Sequence, residues 1–157
     1  MKLSSLQGKK CLITGAASGI GRATAVAAAG EGAELYLTDV QADKLEAVVA
    51  EIRAKGWRVA AYQAFDIADY DAVCAFARDI HSVHGSVDVL MNIAGISIWG
   101  SIDQLQHEHW RQVIEINLMG PIHVLESFVP KMIEAGRGGH IVNVSSAAGL
   151  FGLPWHA

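Results

Sequence analysis

Glycines near the start of the chain are spaced as they would be to hold a phosphorylated ligand. The stretch TGAASGIG runs from Thr14 to Gly21, between an apolar run and an alanine-rich segment. Gly15 permits a sharp turn, Gly19 lets the backbone approach a ligand without a Cβ, and Gly21 allows a helix to pack closely on a strand. Amide hydrogens at the start of that helix would attract a phosphate group.

These features predict a dinucleotide site in which the pyrophosphate contacts Gly15, Ser18, Gly19, Ile20 and Gly21. Asp39 ends the next strand-like run, where a carboxylate would accept hydrogen bonds from an adenosine ribose. Its charge would repel a 2′-phosphate, so the sequence favours NAD, with NADP the less favoured cofactor. The alternatives are a purely structural glycine turn and a solvated acid at a strand end.

Two serines, Ser145 and Ser146, follow the apolar run HIVNV. A serine just past a strand can hydrogen-bond a substrate oxygen whose charge changes during reaction. The alternative is that both serines only form a turn. No G-x-S-x-G elbow surrounds them, so a nucleophilic serine is not expected. Likewise, His107 and His109 point to different faces of a helix start, and no metal site is predicted.

Apolar strand-like runs alternate with helix-like segments along the whole chain. We predict strands over Lys10–Thr14, Glu34–Thr38, Arg58–Phe65, Val87–Met91 and His140–Val144. We predict helices over Gly19–Gly30, Gln41–Lys55, Tyr70–His84, Leu105–Leu118 and Ile122–Ala135. This alternation predicts one α/β domain over residues 1–157, a three-layer, doubly wound, Rossmann-type parallel sheet that ends after its fifth strand.

Composition excludes several classes of protein. The net charge is −4 and no basic run extends beyond Lys9 and Lys10, so no nucleic-acid partner is expected. The N-terminus lacks the apolar core of a secretory signal, and apolar stretches are too short to span a membrane. Cys11 and Cys74 share no metal-binding or CxxC spacing and are interpreted as reduced core residues. We therefore expect a cytoplasmic protein.

Several further motifs extend the pattern across the chain: Asp66, NIAG at 92–95, Asn117 in NLMG, and GGHIVNVSS at 138–146. With TGAASGIG and Asp39, their order and spacing resemble the short-chain dehydrogenases/reductases. The resemblance implies an oxidoreductase that moves a hydride between a nicotinamide and an alcohol or ketone. It also implies a homodimer or homotetramer.

The resemblance also assigns further cofactor contacts. It implies that Asp66 and the backbone amide of Ile67 hold the adenine, the alternative being a turn-forming acid at Asp66. It implies that the chain passes beside the cofactor at Asn92, Ala94 and Gly95. Ile93 departs from the asparagine usual at the second position of this motif, which leaves that position without its polar group.

For catalysis, the resemblance assigns the substrate oxygen to Ser146, with Ser145 as the second choice. It implies that Asn117 holds a water molecule that relays protons, whereas the residue type alone would more often indicate a helix cap. The family also needs a tyrosine base and a lysine four residues later, which lowers the tyrosine pKa. None of the three tyrosines is followed by such a lysine.

By the family's spacing, the missing tyrosine would fall just after Ala157. We therefore expect the chain to be the N-terminal part of a longer enzyme, inactive by itself and prone to aggregate along its fifth strand. The competing hypothesis is a non-catalytic dinucleotide-binding module that ends at residue 157. A methyltransferase would explain the first glycine turn but not the later motifs.

Overall fold

Strands and helices alternate along the chain in a computed structural model that describes residues 5–155. The strands are β1 (Lys10–Thr14), β2 (Glu34–Asp39), β3 (Val59–Ala64), β4 (Val89–Asn92) and β5 (His140–Asn143). The helices are α1 (Gly19–Gly30), α2 (Ala42–Ala54), α3 (Tyr70–His84), α4 (His107–Ile114) and α5 (Gly120–Glu134). Within residues 5–155, no helix combines the length and apolarity needed to cross a bilayer.

The strands form one parallel sheet in the order β3-β2-β1-β4-β5. β1 therefore lies in the middle, with Leu12 opposite Tyr36 of β2 on one side and Leu90 of β4 on the other. The connections leave β1 and β4 in opposite directions, which opens a crevice above their carboxyl ends. The predicted doubly wound α/β fold is confirmed.

Alternate side chains of each strand enter different layers, because successive residues of a strand point to opposite faces of the sheet. Cys11 and Ile13 pack with α1 and α2, while Leu12 packs with α3 and α5. The result is a three-layer core of helices, sheet and helices. Burial raises the pKa of the Cys11 thiol to about 12, and the nearby charge of Asp88 adds to this effect, so the thiol stays protonated.

One continuous helical run replaces the two separate helices predicted around Leu105–Leu118 and Ile122–Ala135. A π-helical segment, Glu115–Met119, joins α4 directly to α5. The Gly120 amide donates to the Glu115 carbonyl across this wider turn. Pro121 follows directly, and because it has no backbone N–H it removes one hydrogen bond from the helical run at this point. The Gly-Pro pair therefore marks a change of helical spacing and not a break.

Apolar side chains remain exposed along the outer edge of β5. β5 pairs with β4, and among the described strands it has no other neighbour. Ile141 and Val142 are 45% and 44% exposed, and Ile133 of α5 is more exposed still. The edge predicted for the fifth strand is therefore present within residues 5–155, with its backbone open to pairing.

Candidate functional site

A cavity of about 460 Å³ lies at the carboxyl ends of the central strands. It brings together the loops that follow β1, β2, β3 and β4, which are far apart in the sequence. The predicted cofactor residues that line it are Gly15, Ser18, Gly19, Ile20, Gly21, Asp39, Asp66, Ile67, Ala94 and Gly95. The fold thus gathers every predicted cofactor residue except Asn92 around one cavity.

The glycines of the first loop are required by geometry. Gly15 has a φ of +69°, and a Cβ there would lie 2.8 Å from the Ala94 backbone. A Cβ on Gly21 would lie 1.9 Å from the Gly15 carbonyl oxygen, so helix and loop can pack only without it. Gly19 has a φ of +49° and open space around its missing Cβ. Its backbone is therefore accessible from the cavity.

Thr14 was not among the predicted site residues, yet it fixes this loop to the neighbouring strand. Its Oγ1 accepts hydrogen bonds from the backbone N–H groups of Ile93 (3.0 Å) and Ala94 (3.1 Å). On the other side, the Ala16 amide donates to the Thr38 carbonyl at 3.1 Å. The loop is thus held from both β4 and β2. A hydroxyl residue ending a buried strand was the only sequence signal of this role.

Asp39 is a buried group with two backbone partners. One carboxylate oxygen accepts from the Ala17 amide at 2.9 Å, and the other accepts from the Gln41 amide at 2.9 Å. Only 7% of the residue is exposed, so the alternative of a solvated acid is wrong. A carboxylate has about four lone-pair sites, which leaves acceptor capacity for a ligand hydroxyl. Contact with a ribose stays a prediction.

The start of α1 has the free amides that an anionic group would need. The Ser18 side chain makes no capping hydrogen bond to α1, whereas Asp69 Oδ1 accepts from Ala72 at the start of α3. Ser18, Gly19 and Ile20 line the cavity at this uncapped end. The first amides of a helix need partners. A pyrophosphate group therefore fits this corner.

The loop after β3 presents Asp66 and Ile67 to the cavity. Asp66 is exposed, and its Oδ1 accepts from the Ala68 amide at 2.9 Å, so the predicted turn-forming role is present. Ile67 is buried against α5, where a Cβ on Gly120 would lie 2.5 Å from its Cδ1. His123 Nδ1 lies 3.0 Å from the Ile67 carbonyl oxygen. Contact of these residues with an adenine stays a prediction.

Asn92 does not line the cavity. It is buried, and its Nδ2 donates to Asn143 Oδ1 at 2.9 Å, which ties β4 to β5. A direct contact between Asn92 and the cofactor therefore stays a prediction, and the residues that line the cavity do not support it. The next residue, Ile93, does line the cavity, and its backbone amide bonds to Thr14. The chain thus uses the backbone of Ile93, which needs no polar side chain.

Asn117 lies inside the π-helical segment and binds a cavity loop. Its Nδ2 donates to the Ile96 carbonyl and its Oδ1 accepts from the Ile96 amide, both at 2.8 Å. A Cβ on Gly95 would lie 3.3 Å from that Oδ1. The amide therefore has the partners that its residue type requires, and it is not a helix cap. Its part in a proton relay stays a prediction.

The serine pair lies beyond β5 and outside the lining of the cavity. Ser146 Oγ accepts from the Ala148 amide at 3.1 Å and caps a short 3₁₀ turn, Ala147–Gly149. The turn-forming alternative is therefore present for Ser146. Both serines are exposed, which leaves their hydroxyls accessible. A contact with substrate stays a prediction for either of them.

The His107 and His109 pair takes part in the start of α4. His109 Nδ1 accepts from the Gln106 amide at 3.2 Å, and the His109 amide donates back to the Gln106 carbonyl at 3.0 Å. Among residues 5–155, no group of three or more His, Cys, Asp or Glu side chains could hold a metal ion. His109 is thus assigned to helix capping.

Comparison with known proteins identifies relatives over nearly the whole chain. The family model described as short chain dehydrogenase matches residues 9–157. The 3-oxoacyl-[acyl-carrier-protein] reductase FabG of Thermotoga maritima is 40% identical over 149 residues, which cover 95% of this chain and 60% of that protein. The probable oxidoreductase EphD of Mycobacterium tuberculosis is 41% identical over 136 residues, which cover 87% of this chain and 23% of that protein.

Solved structures agree with these sequence relatives. A short chain dehydrogenase/reductase from Burkholderia phymatum in complex with NAD superposes with a TM-score of 0.91 and 35% identity, over 98% of this chain and 54% of that one. A metagenomic short-chain oxidoreductase in complex with NADP superposes with a TM-score of 0.88 and 39% identity, over 96% of this chain and 68% of that one. The chain thus spans about 60% of the length of its FabG relatives.

Proposed function

This chain belongs to the short-chain dehydrogenase family, and on that premise we propose that it holds the dinucleotide of an NAD-dependent alcohol or ketone oxidoreductase. One observation carries the proposal: the glycine loop, Asp39, Asp66 and Gly95 line a single cavity. A non-catalytic module is not favoured, because the matched relatives are a reductase and an oxidoreductase. A methyltransferase is excluded by the family.

The loops that follow neighbouring strands of the sheet offer suitable groups for successive parts of a dinucleotide. The uncapped start of α1 offers amides to the pyrophosphate. Asp39, at the tip of β2, retains acceptor capacity for the adenosine ribose. Because β3 lies outside β2, the base would extend toward the loop of Asp66 and Ile67. The other half would extend toward β4, beside Ala94 and Gly95.

Bound NAD would supply the hydride acceptor, and the protein would supply position and proton transfer. We assign Ser146, with Ser145 as second choice, to a hydrogen bond with the substrate oxygen. We assign Asn117 to holding a water for the proton relay while it fixes Ile96. The tyrosine and lysine that exchange the substrate proton would lie beyond Ala157 in the complete protein.

Cofactor choice follows from Asp39. Its carboxylate is buried beside the cavity, where its negative charge would repel a 2′-phosphate. We therefore propose a preference for NAD over NADP, although one relative of known structure holds NADP. We further propose a cytoplasmic enzyme that assembles as a homodimer or homotetramer, with a small alcohol or ketone as substrate.

Calorimetric titration of the complete protein with NAD and with NADP tests the proposal. We expect saturable binding of NAD and a dissociation constant for NADP at least about tenfold higher, which corresponds to 1.4 kcal/mol. Binding of neither nucleotide would contradict the dinucleotide site. Equal binding of both would contradict the role given to Asp39 while leaving the site itself supported.

A second experiment tests the proposed chemistry. Determination of the codons after Ala157 should reveal a tyrosine followed four residues later by a lysine. The complete protein should then reduce NAD with a panel of small alcohols, and replacing that tyrosine by phenylalanine should abolish turnover. A stop codon directly after Ala157 would contradict the enzyme and restore the binding-module hypothesis.

A further inference from the structure

The helical run from His107 to Glu134 contacts two separate loops that line the cavity. In its π-helical segment Asn117 binds the backbone of Ile96, and six residues further on His123 contacts the backbone of Ile67. A carbonyl oxygen only accepts hydrogen bonds, so the Nδ1 of His123 carries the hydrogen and donates it to Ile67. His123 thereby fixes the backbone of a residue that lines the cavity.

The surroundings of His123 restrict its ring. The ring of Tyr70 lies 5.1 Å away, with the two planes inclined by 58°. One turn earlier on α5, Gly120 leaves just enough room for the Ile67 side chain. Ile67 is thus held through its side chain by Gly120 and through its carbonyl by His123. The imidazole is half-buried, which protects its hydrogen bond from competing water.

The order of the strands determines which part of a dinucleotide this contact would affect. The glycine loop follows β1, Asp39 ends β2, and Ile67 follows β3 at the outer side of the sheet. A dinucleotide whose pyrophosphate lies at β1 and whose ribose lies at β2 brings its adenine to the loop after β3. Ile96, held by Asn117, lies in the loop after β4 on the other side of β1.

We propose that His123 is a positioning residue for the adenosine half of the dinucleotide, acting through the backbone of Ile67. His123 does not itself line the cavity, so its effect passes through the loop that it holds. The proposal rests on the proposed function, since it presumes a dinucleotide in this cavity. It predicts that loss of the donor weakens adenosine binding without changing the chemistry at the nicotinamide.

Two substitutions separate the hydrogen bond from the packing of the ring. His123→Phe keeps an aromatic ring beside Tyr70 but removes the donor to Ile67. His123→Asn restores a donor, because the amide nitrogen of asparagine can take the place of Nδ1. Ser127→Ala is the matched control one turn further along α5, where the hydroxyl contacts Cys74 Sγ at 3.6 Å and not the cavity.

The dissociation constants of NAD and ADP are measured by calorimetry on the complete protein, together with kcat and KM for NAD. His123→Phe should weaken both nucleotides about three- to tenfold and raise KM, with kcat unchanged at saturating NAD. His123→Asn should recover most of the affinity, and Ser127→Ala should match the wild type. If His123→Phe does not fold, His123→Asn must still bind ADP within about threefold of the wild type.

Three results would overturn the inference alone, given a wild type that binds NAD. The first is an unchanged affinity of His123→Phe for ADP. The second is a folded His123→Asn that recovers no ADP affinity. The third is a loss of ADP affinity in Ser127→Ala equal to that in His123→Phe. A wild type that binds neither NAD nor ADP would contradict the proposed function as well.

Discussion

The loop after β1 and the segment after β5 both follow a strand of the same sheet, yet they are held very differently. The loop after β1 is hydrogen-bonded on both sides: Thr14 Oγ1 accepts from the Ile93 amide next to β4, and the Ala17 amide donates to Asp39 of β2. The segment after β5 is mostly exposed, and the Ser146 hydroxyl bonds within its own turn. Two long-range backbone bonds tie that segment back among residues 5–155: the Val144 amide donates to the Asn92 carbonyl, and the Gly100 amide donates to the Trp155 carbonyl.

This difference separates the loop proposed to bind the nucleotide from the segment proposed to take part in the chemistry. A loop held on both sides is ordered before a ligand arrives, so less ordering entropy is lost on binding. The segment after β5 is held less closely: among residues 5–155 its long-range backbone bonds lie at its two ends, Val144 and Trp155, and not at Ser146. Substitutions near the glycine loop should therefore affect stability and nucleotide affinity together, while substitutions near Ser146 should leave stability nearly unchanged.

The largest contrast is expected from the same substitution made in both regions. Gly21→Ala places a Cβ against the Gly15 carbonyl and should destabilise the complete protein by about 3 kcal/mol or more. Gly149→Ala meets no atom within 4 Å and should change stability by less than about 1 kcal/mol. Urea unfolding of both variants measures the difference. Similar losses in both would show that the two regions are equally constrained.

The next effect concerns Asp39, which holds the loop from the side of β2. Asp39→Ala removes the acceptor of the Ala17 and Gln41 amides and should cost about 2 to 3 kcal/mol of stability without any nucleotide. Hydrogen exchange at the Ala17 amide should accelerate in the same variant. Asp39→Asn should recover part of the loss, because its amide oxygen can still accept one of the two bonds.

A variant at Asp39 that kept the Ala17 amide protected would contradict this structural role. The role also affects attempts to change cofactor choice. Replacing Asp39 by a small neutral residue to admit NADP should first loosen the loop, so NADP affinity should improve less than the removal of charge alone would predict.

Local pattern predicted most of the fold, because buried strands and amphipathic helices are encoded over short stretches. The predicted limits of β1, α1 and α3 coincide with those of the structure. The π-helical segment was not predicted. It contains Asn117, whose partner Ile96 is far away in the sequence, so a local pattern does not reveal this contact. Thr14 and His123 were missed for the same reason. Their partners depend on which strands and helices become neighbours in the folded chain.

A smaller effect should come from Thr14, which holds the loop from the side of β4. Thr14→Val keeps the shape of the side chain but leaves the Ile93 and Ala94 amides without their acceptor, at a cost of about 1 to 2 kcal/mol. Thr14→Ser keeps the hydroxyl and should retain most of the stability. Thermal unfolding of the three proteins gives the comparison, and a valine variant as stable as the serine variant would contradict it.

The smallest effect on stability should come from Ser146. Its hydroxyl caps a three-residue turn in an exposed segment, so Ser146→Ala should cost less than about 1 kcal/mol. If Ser146 binds the substrate oxygen, the same variant of the complete protein should lose about a hundredfold or more in kcat while its affinity for NAD stays within about twofold of the wild type. Ser145→Ala tests the second choice for this role and should keep its activity. Loss of activity in Ser145→Ala with full activity in Ser146→Ala would transfer the catalytic role to the neighbouring serine, and loss of NAD affinity in Ser146→Ala would show that the two regions are not energetically separate.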